Sequence, residues 1–180
     1  MKTVNKDMIL EKVVSLKGQE FTLHLHDQHY NPSQDEVYLM GSGMATYRFF
    51  MGDDAEQRIF FSKIIRWERC LFVKHEGQTV AYLTFYAKKK GPYATYWSVF
   101  TKAYGFYKGS SKYFLYQLLE LRYSRKESYL CKMFVTKKLR GTGLGNSMLC
   151  EFIELLRSDG IKTLELEVYG KNSLAIKFYK

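Results

Sequence analysis

One stretch of this sequence decides the fold: residues 129–157 read YLCKMFVTKKLRGTGLGNSMLCEFIELLR. Residues 129–135 predict a strand, since they form a short, mostly apolar run. From Leu144 onward, apolar side chains recur at helical spacing, which predicts an amphipathic helix over 144–157. The residues Ser158-Asp159-Gly160 then end that helix. The stretch is therefore predicted to be a strand, a short loop and a helix.

Three glycines, at positions 141, 143 and 145, lie in the loop between this strand and this helix. Glycine lets the backbone come close to a ligand, and the unpaired N–H groups of a helix N-terminus favour an anion, above all a phosphate. Lys137, Lys138 and Arg140 add positive charge there. A P-loop needs a lysine after its last glycine, and the dinucleotide fingerprint has its third glycine one residue later, so both motifs fit poorly.

The residues after this stretch continue the alternation of strand and helix. Residues 163–169 alternate apolar and polar side chains and predict a strand. A helix is predicted from Asn172, with Ala175, Ile176 and Phe178 as its apolar residues. The order strand, helix, strand, helix indicates an α/β fold.

Upstream residues are predicted to add further strands and helices. Residues 70–74 and 79–86 predict a hairpin around the turn His75-Glu76-Gly77-Gln78. Asp53 and Glu56 resemble a helix capping box. The other predicted elements are a strand over 21–26, a helix over 34–51, a helix from the capping box that carries Phe60, Phe61, Ile64, Ile65 and Trp67, and a helix over 111–124.

Length and charge bound the class of protein. The 180 residues suffice for a single domain, 1–180, and the net charge is +10. Residues 88–140 hold thirteen Lys or Arg and two acids, Glu120 and Glu127, so this segment carries the whole imbalance. Such a local field points to an anionic partner. No apolar run is long enough for a membrane span, no signal-peptide core is present, and three scattered Cys predict a reducing, cytoplasmic location.

Two widely spaced motifs resemble the GNAT superfamily of N-acetyltransferases. The first is Arg140-x-x-Gly143-x-Gly145 after a strand that ends in Val135, and the second is the helix Asn172…Ala175…Phe178-Tyr179. The close match covers residues 129–180. The resemblance implies an α/β fold with a mixed, mostly antiparallel central sheet flanked by helices.

The same resemblance implies an activity and a set of site residues. In the superfamily the pantetheine arm of acetyl-CoA enters a gap between two parallel strands, which here would be 129–135 and 163–169. The expected function is transfer of acetyl from acetyl-CoA to a primary amine by direct attack in a ternary complex, with no metal. Tyr179 would protonate the leaving thiolate, since a phenol of pKa about 10 is close enough to a thiol, and Asn172 would steady the arm as the second catalytic residue. The implied cofactor-binding residues for the arm are Met133, Phe134 and Val135, together with Asn172. One backbone N–H group of residues 133–135 would polarise the acetyl carbonyl. The implied residues for the pyrophosphate are Arg140, Gly141, Thr142, Gly143, Leu144, Gly145 and Asn146.

Two departures from the superfamily pattern leave questions open. Relatives often carry an acid four residues before the terminal valine of the strand, and here that residue is Cys131. The remaining candidates for the general base are Glu127, Glu167, Asp35 and Glu36. The superfamily also normally continues beyond the Phe-Tyr helix with further strands, so the C-terminal strands are expected to be missing, and a homodimer or another partner would complete the sheet.

Alternatives stand beside this interpretation. A non-catalytic acyl-CoA-binding module, or an RNA-binding or partner-binding module, could use the same fold. The basic, aromatic-rich segment 88–126 is interpreted as a helical insertion that forms a lid over the acceptor, an RNA-binding surface or only a solvated face. Cys131 is either a covalent acyl carrier or a buried apolar residue. His24, His26 and His29 could hold a metal or be ordinary strand histidines.

Overall fold

A six-stranded sheet organises the chain, of which a computed structural model describes residues 8–41 and 45–179. The strands lie side by side in chain order, with antiparallel pairing except for β5 and β6, which run parallel. This mixed, mostly antiparallel sheet flanked by helices is the predicted fold class. The strands are β1 (Met8–Leu16), β2 (Gln19–His26), β3 (Cys70–His75), β4 (Gln78–Ala87), β5 (Ser128–Val135) and β6 (Glu165–Leu166).

Helices cover both faces of the sheet, and none in the described residues is long and apolar enough to cross a bilayer. The helix α3 begins with the predicted capping box: the Asp53 side chain accepts from the N–H of Glu56, and the Glu56 side chain accepts from the N–H of Asp53. The helices are α1 (Gln34–Gly41), α2 (Arg48–Met51), α3 (Asp54–Phe61), α4 (Trp97–Tyr104), α5 (Phe106–Ser124), α6 (Leu144–Ser158) and α7 (Ser173–Tyr179).

Two tight turns connect the first four strands in pairs. Lys17-Gly18 joins β1 to β2, and Glu76-Gly77 joins β3 to β4, with positive φ at all four residues. Two-residue turns with this backbone match the twist of antiparallel strands. The second hairpin was predicted. The strand β1 was not, since its pairing with β2 stabilises it rather than a clear alternation of its own residues.

The side chains of the sheet divide into two cores. On one face, residues such as Leu23, Val73 and Phe85 pack against Met148 and Phe152 of α6. The opposite face carries a smaller cluster of Met40, Cys70, Phe72 and Tyr82, against which Phe134 packs. A third, aromatic cluster joins the short helices to α4 and α5 through buried residues that include Tyr47, Phe61, Phe100 and Tyr116.

Several predicted elements are shorter or differently divided in the structure. The helix predicted over 34–51 is interrupted: α1 ends at Gly41, residues 42–44 lie outside the described residues, and α2 begins at Arg48. The helix predicted to reach Trp67 ends at Phe61, because Ile64 and Ile65 belong to a turn whose backbone bonds residues 92–94.

Predicted elements of the C-terminal half also differ in length from those in the structure. The helix predicted from residue 111 begins at Phe106, and α4 precedes it. The strand predicted over 163–169 comprises only the two residues of β6, since only they pair with β5. A side chain on Gly109 would come within 2.5 Å of the Phe100 carbonyl oxygen, so glycine permits the close contact of α4 with α5.

Candidate active site

A gap opens between β5 and β6 shortly after they begin to pair. The parallel pairing joins Tyr129 to Glu165 and Leu130 to Leu166, whereas β5 continues to Val135. Within the described residues, the segment 131–135 has β4 on one side and no strand on the other. An extended ligand can therefore add to this edge of β5 through backbone hydrogen bonds.

A β-bulge marks the point where this gap begins. Thr84 of β4 lies opposite Lys132, and the next residue, Phe85, lies opposite Leu130. Cys131 is therefore the extra residue of the bulge and the first residue of β5 beyond the paired segment. The bulge places Cys131 at the apex of the gap.

The glycine loop supplies hydrogen-bond donors at the other end of the gap. Gly141 and Gly143 have φ of 77° and 96°, and Gly143 is the residue that precedes α6. A side chain would meet no neighbour at either position, so the backbone conformation rather than crowding requires glycine here. The first intrahelical bond runs from the Ser147 N–H to the Gly143 carbonyl at 3.0 Å. The Leu144 N–H donates to the Thr142 hydroxyl oxygen at 3.4 Å, which leaves the N–H groups of Gly145 and Asn146 in the first turn of α6 for an anion.

A cavity of about 590 Å³ joins the glycine loop, the free edge of β5 and the helix α7. Ten predicted site residues line it: Met133, Phe134, Val135, Arg140, Gly141, Gly143, Gly145, Asn146, Asn172 and Tyr179. Leu139, Leu174, Ala175 and Phe178 line it as well and were not predicted as site residues. Two predicted residues do not line it. Leu144 is fully buried in the main core, and the Thr142 hydroxyl donates to the Leu139 carbonyl at 2.8 Å.

Arg140 links the two sides of the cavity. Its Nε donates to the Val135 carbonyl at 3.0 Å, which ties the glycine loop to the end of β5. The side chain is exposed, as are Lys137 and Lys138. The mouth of the cavity therefore carries positive charge where an anionic ligand would enter.

Asn172 and Tyr179 lie at the two ends of α7. The Asn172 Oδ1 accepts from the Ala175 N–H at 3.1 Å and so caps the helix. The Tyr179 hydroxyl donates to the Met133 sulfur at 3.4 Å. Burial raises the pKa of Tyr179, so the phenol holds its proton at neutral pH.

Three of the four acids that the sequence offers as general bases are engaged in other contacts. Glu127 accepts from the N–H and the hydroxyl of Thr163. Glu167 forms an ion pair with Arg122 at 2.6 Å. Glu36 is fully buried and accepts from Tyr30 at 2.8 Å. Each of these three carboxylates is held in a structural contact, and Asp35 lies beside Glu36 at the start of α1.

Sequence reasoning missed Glu120 as a candidate site residue. This carboxylate is on α5 and its Oε1 accepts from the Tyr47 hydroxyl at 2.9 Å. Burial raises the pKa of Glu120 to about 7. The one sequence signal was that Glu120 is one of only two acids within the basic segment 88–140.

The Cys131 thiol lies close enough to Glu120 to be influenced by its charge. Burial, followed by the Glu120 carboxylate, raises the pKa of Cys131 well above its ordinary value. The thiol is therefore protonated at neutral pH, and a thiol in this state is a weak nucleophile. This favours the buried apolar interpretation of Cys131 over the acyl carrier.

The strand histidines stack in a row instead of surrounding a common point. The rings of His24 and His26 lie 5.6 Å apart, and that of His26 lies 3.6 Å from Tyr30. Burial lowers the pKa of His26 to about 4, so the ring is neutral. In the part of the chain that the structure describes, no group of three His, Cys, Asp or Glu residues is placed to hold a metal ion.

The chain belongs to the acetyltransferase (GNAT) family, whose model matches residues 38–180. No curated protein sequence matches it significantly. Solved structures resemble it at low identity. A GNAT acetyltransferase from Listeria monocytogenes is 14% identical over 93% of this chain and 88% of that one, with a TM-score of 0.49.

Two further solved structures have more specific names. An agmatine N-acetyltransferase is 15% identical over 88% of this chain and 81% of that one, with a TM-score of 0.48. A polyamine N-acetyltransferase from Drosophila melanogaster is 17% identical over 78% of this chain and 69% of that one, with a TM-score of 0.42. At such identities and TM-scores, these likenesses support no conclusion about this chain.

Proposed function

We propose that this protein is an N-acetyltransferase that moves acetyl from acetyl-CoA to a primary amine by direct attack in a ternary complex. The observation that carries the proposal is the cavity that runs from the glycine loop to the free edge of β5 and ends at Tyr179. Family membership supports acetyl transfer in general. The cavity supports acetyl-CoA as the donor.

Each end of the cavity suits one part of acetyl-CoA. The N–H groups at the start of α6, with Arg140 nearby, suit the pyrophosphate, because a helix N-terminus favours phosphate. The free edge of β5 at Met133–Val135 suits the amides of the pantetheine arm, which would pair with it as an added strand. A β5 N–H would then donate to the acetyl oxygen as negative charge develops there.

Tyr179 is the proposed acid for the leaving group. Its hydroxyl already donates to a sulfur atom, that of Met133. A thioether is a weak acceptor, so the hydroxyl can turn to a stronger one, the thiolate of CoA. Asn172 contributes by capping α7, and its amide nitrogen is the donor that remains for the arm.

The reaction needs no covalent acyl-enzyme intermediate. The thiol at the apex of the gap is that of Cys131, and burial keeps it protonated. Direct attack by the acceptor on the thioester is therefore the favoured route. All three cysteines are free thiols, which agrees with the cytoplasmic location that we propose.

Calorimetry and a thiol-release assay test this proposal. We expect saturable binding of acetyl-CoA, followed by CoA thiol release with at least one amine from a panel of agmatine, spermidine, 2-phenylethylamine and a lysine-containing peptide. Absence of binding at excess acetyl-CoA would exclude both an enzyme and an acyl-CoA sensor. Binding without thiol release from any amine would favour the non-catalytic module.

The basic segment 88–126 provides the second candidate function, RNA binding. Tyr107 is 87% exposed and Phe106 is 61% exposed beside Lys108, and exposed aromatics among lysines can stack on bases. Against this, Lys88, Arg122 and Lys126 form ion pairs with Asp159, Glu167 and Glu165. Three of the nine bases of this segment are thus paired with acids of the protein. A gel-shift titration with single-stranded RNA at several salt concentrations would test this second function.

A further inference from the structure

An amine acceptor must lose a proton before it can attack a thioester. An ordinary alkylamine has a pKa near that of lysine, about 10.4, and is an ammonium ion at neutral pH. The ammonium nitrogen has no free electron pair. This inference rests on the proposed N-acetyltransfer. That reaction needs a proton acceptor where the amine meets the acetyl group.

The split between β5 and β6 shows where that meeting point lies. Cys131 is at the apex of the gap, and Met133, which contacts the proposed acid Tyr179, is two residues further along β5. Two residues of a strand span about 7 Å. The thioester is therefore expected beside residues 131–133, and the base must be reachable from there.

Glu120 approaches this apex from α5. Tyr123, one helical turn after Glu120, packs with Tyr129 and Cys131 of β5, and the Tyr123 and Tyr129 rings lie 4.7 Å apart. Residues three apart share a helix face, so Glu120 faces β5 as Tyr123 does. Its negative charge contributes to raising the pKa of both Tyr123 and Cys131.

A hydrogen bond to Oε1 fixes the Glu120 carboxyl in place, and no donor within residues 8–41 and 45–179 bonds its second oxygen. Its Oε1 accepts from Tyr47, and Tyr47 is held among the rings of Phe61 and Tyr116. Glu120 itself retains partial exposure, so a proton can pass between it and solvent. We propose that Glu120 is the general base that takes the proton from the acceptor amine.

Protons and bonds balance in the proposed reaction. The ammonium gives one proton to the Glu120 carboxylate, and Glu120 later releases it to solvent. The neutral amine attacks the acetyl carbon, the C–N bond forms and the C–S bond breaks. The thiolate takes the Tyr179 proton, and the second proton lost from the amine nitrogen restores the phenol. The products are the acetamide, CoA thiol and one free proton.

The environment of Glu120 suits this role at neutral pH. Burial, opposed by the Tyr47 hydrogen bond and the Arg66 charge, leaves the pKa of Glu120 at about 7. A base is most efficient when its pKa lies near the working pH. The titratable and charged groups that face Glu120 are Tyr47 before α2, Arg66 before β3, Tyr123 on α5 itself and Cys131 on β5.

The test compares Glu120→Gln with the wild type on two isosteric probes. 2-Phenylethylamine is an ammonium ion at pH 7, whereas O-benzylhydroxylamine has nearly the same shape and a neutral nitrogen. We expect thiol release with 2-phenylethylamine to fall by about 100-fold or more and release with O-benzylhydroxylamine to change less than about 5-fold. Glu154→Gln, an exposed acid on α6 paired with Arg157, is the matched control and is expected to retain full activity.

Infrared difference spectra of wild type minus Glu120→Gln, with acetyl-CoA bound, provide a readout that needs no acceptor. We expect a carboxylate band that titrates with a midpoint near 7. A midpoint near 4.5, the ordinary value, overturns the inference, and so does an equal loss of thiol release with both probes. If the wild type turns over neither probe nor any amine of the panel, the proposed function fails and the base role fails with it.

Discussion

The Tyr179 hydroxyl donates to the sulfur of Met133 across 3.4 Å. This contact joins the end of α7 to the free edge of β5, at the lining of the cavity proposed for acetyl-CoA. It places the proposed acid beside the strand segment that would hold the thioester. The contact also shows that the phenol can point its proton at a sulfur atom in this position.

Replacing Tyr179 by Phe is expected to lower kcat by about 100-fold or more, because the thiolate then leaves without a proton donor. The KM for acetyl-CoA is expected to stay within about 3-fold, since the ring and its packing remain. Steady-state thiol release measures both. Tyr169→Phe is the matched control, because Tyr169 is 68% exposed. Full activity in Tyr179→Phe would refute the acid role.

Replacing Gly143 by Ala is expected to weaken acetyl-CoA binding by about 10-fold or more. A non-glycine residue at the φ of 96° that precedes α6 costs about 1–2 kcal/mol, and the N–H groups of the first turn shift with it. Gly18→Ala carries a similar penalty, since Gly18 has φ of 78° in the β1–β2 turn. Calorimetry should find unchanged affinity in Gly18→Ala, and equal losses in both variants would mean that the effect is one of general stability.

Tyr47→Phe is expected to move the pH dependence of the reaction to higher pH without abolishing it. The Tyr47 hydroxyl lowers the pKa of Glu120 by donating to its carboxylate. Without that bond the proposed base is protonated over a wider range, so the rate falls off at a higher pH than in the wild type. A profile of kcat/KM from pH 5.5 to 9, roughly the range around the Glu120 pKa, measures the shift. A downward shift or none would contradict this prediction.

Glu120→Gln is expected to stabilise the protein above pH 7 and to leave it little changed near pH 4.5. The folded pKa of Glu120 is about 7 and the ordinary value is 4.5, so between these values the folded state binds more protons than the unfolded state. The free energy of unfolding of the wild type therefore decreases as the pH rises through this window. Glutamine does not titrate, and the gain in the variant is expected to reach about 1–3 kcal/mol.

Chemical denaturation at pH 5, 6, 7 and 8 measures this difference at about one-unit steps across the window. Glu154→Gln, on the exposed face of α6, should show no comparable trend. A difference between wild type and Glu120→Gln that stays constant with pH would mean that the Glu120 carboxyl has an ordinary pKa.

Local patterns predicted the C-terminal part of the fold well. The strand, glycine loop and helix around Gly143, and the α7 helix after Asn172, all follow from short-range spacing, and ten of the predicted site residues line one cavity. The mixed, mostly antiparallel sheet, which the family resemblance implied, was confirmed as well. The roles of these residues stay predictions.

Features that depend on distant contacts were not predictable. The strand β1 exists through its pairing with β2. The proximity of Glu120 to Tyr47 joins residues 73 positions apart, and the sequence near Glu120 shows only an acid among bases. The shortening of the predicted strand 163–169 to Glu165–Leu166 depends on how far β5 and β6 stay together, which no local pattern records.

The bulge at Cys131 also determines which side of the sheet each later side chain of β5 occupies. Alternate residues of a strand share a face, yet Leu130, Met133 and Val135 all pack with the α6 core, while Phe134 packs on the opposite side. Without the bulge, regular alternation from Leu130 through Cys131 would exchange Met133 and Phe134 between the two sides. Substitutions at position 131 retain the extra residue and leave the sides of the later residues unchanged. Deletion of Cys131 would instead remove the extra residue and restore regular alternation, which keeps Met133 and Val135 on the α6 side of the edge proposed for the thioester.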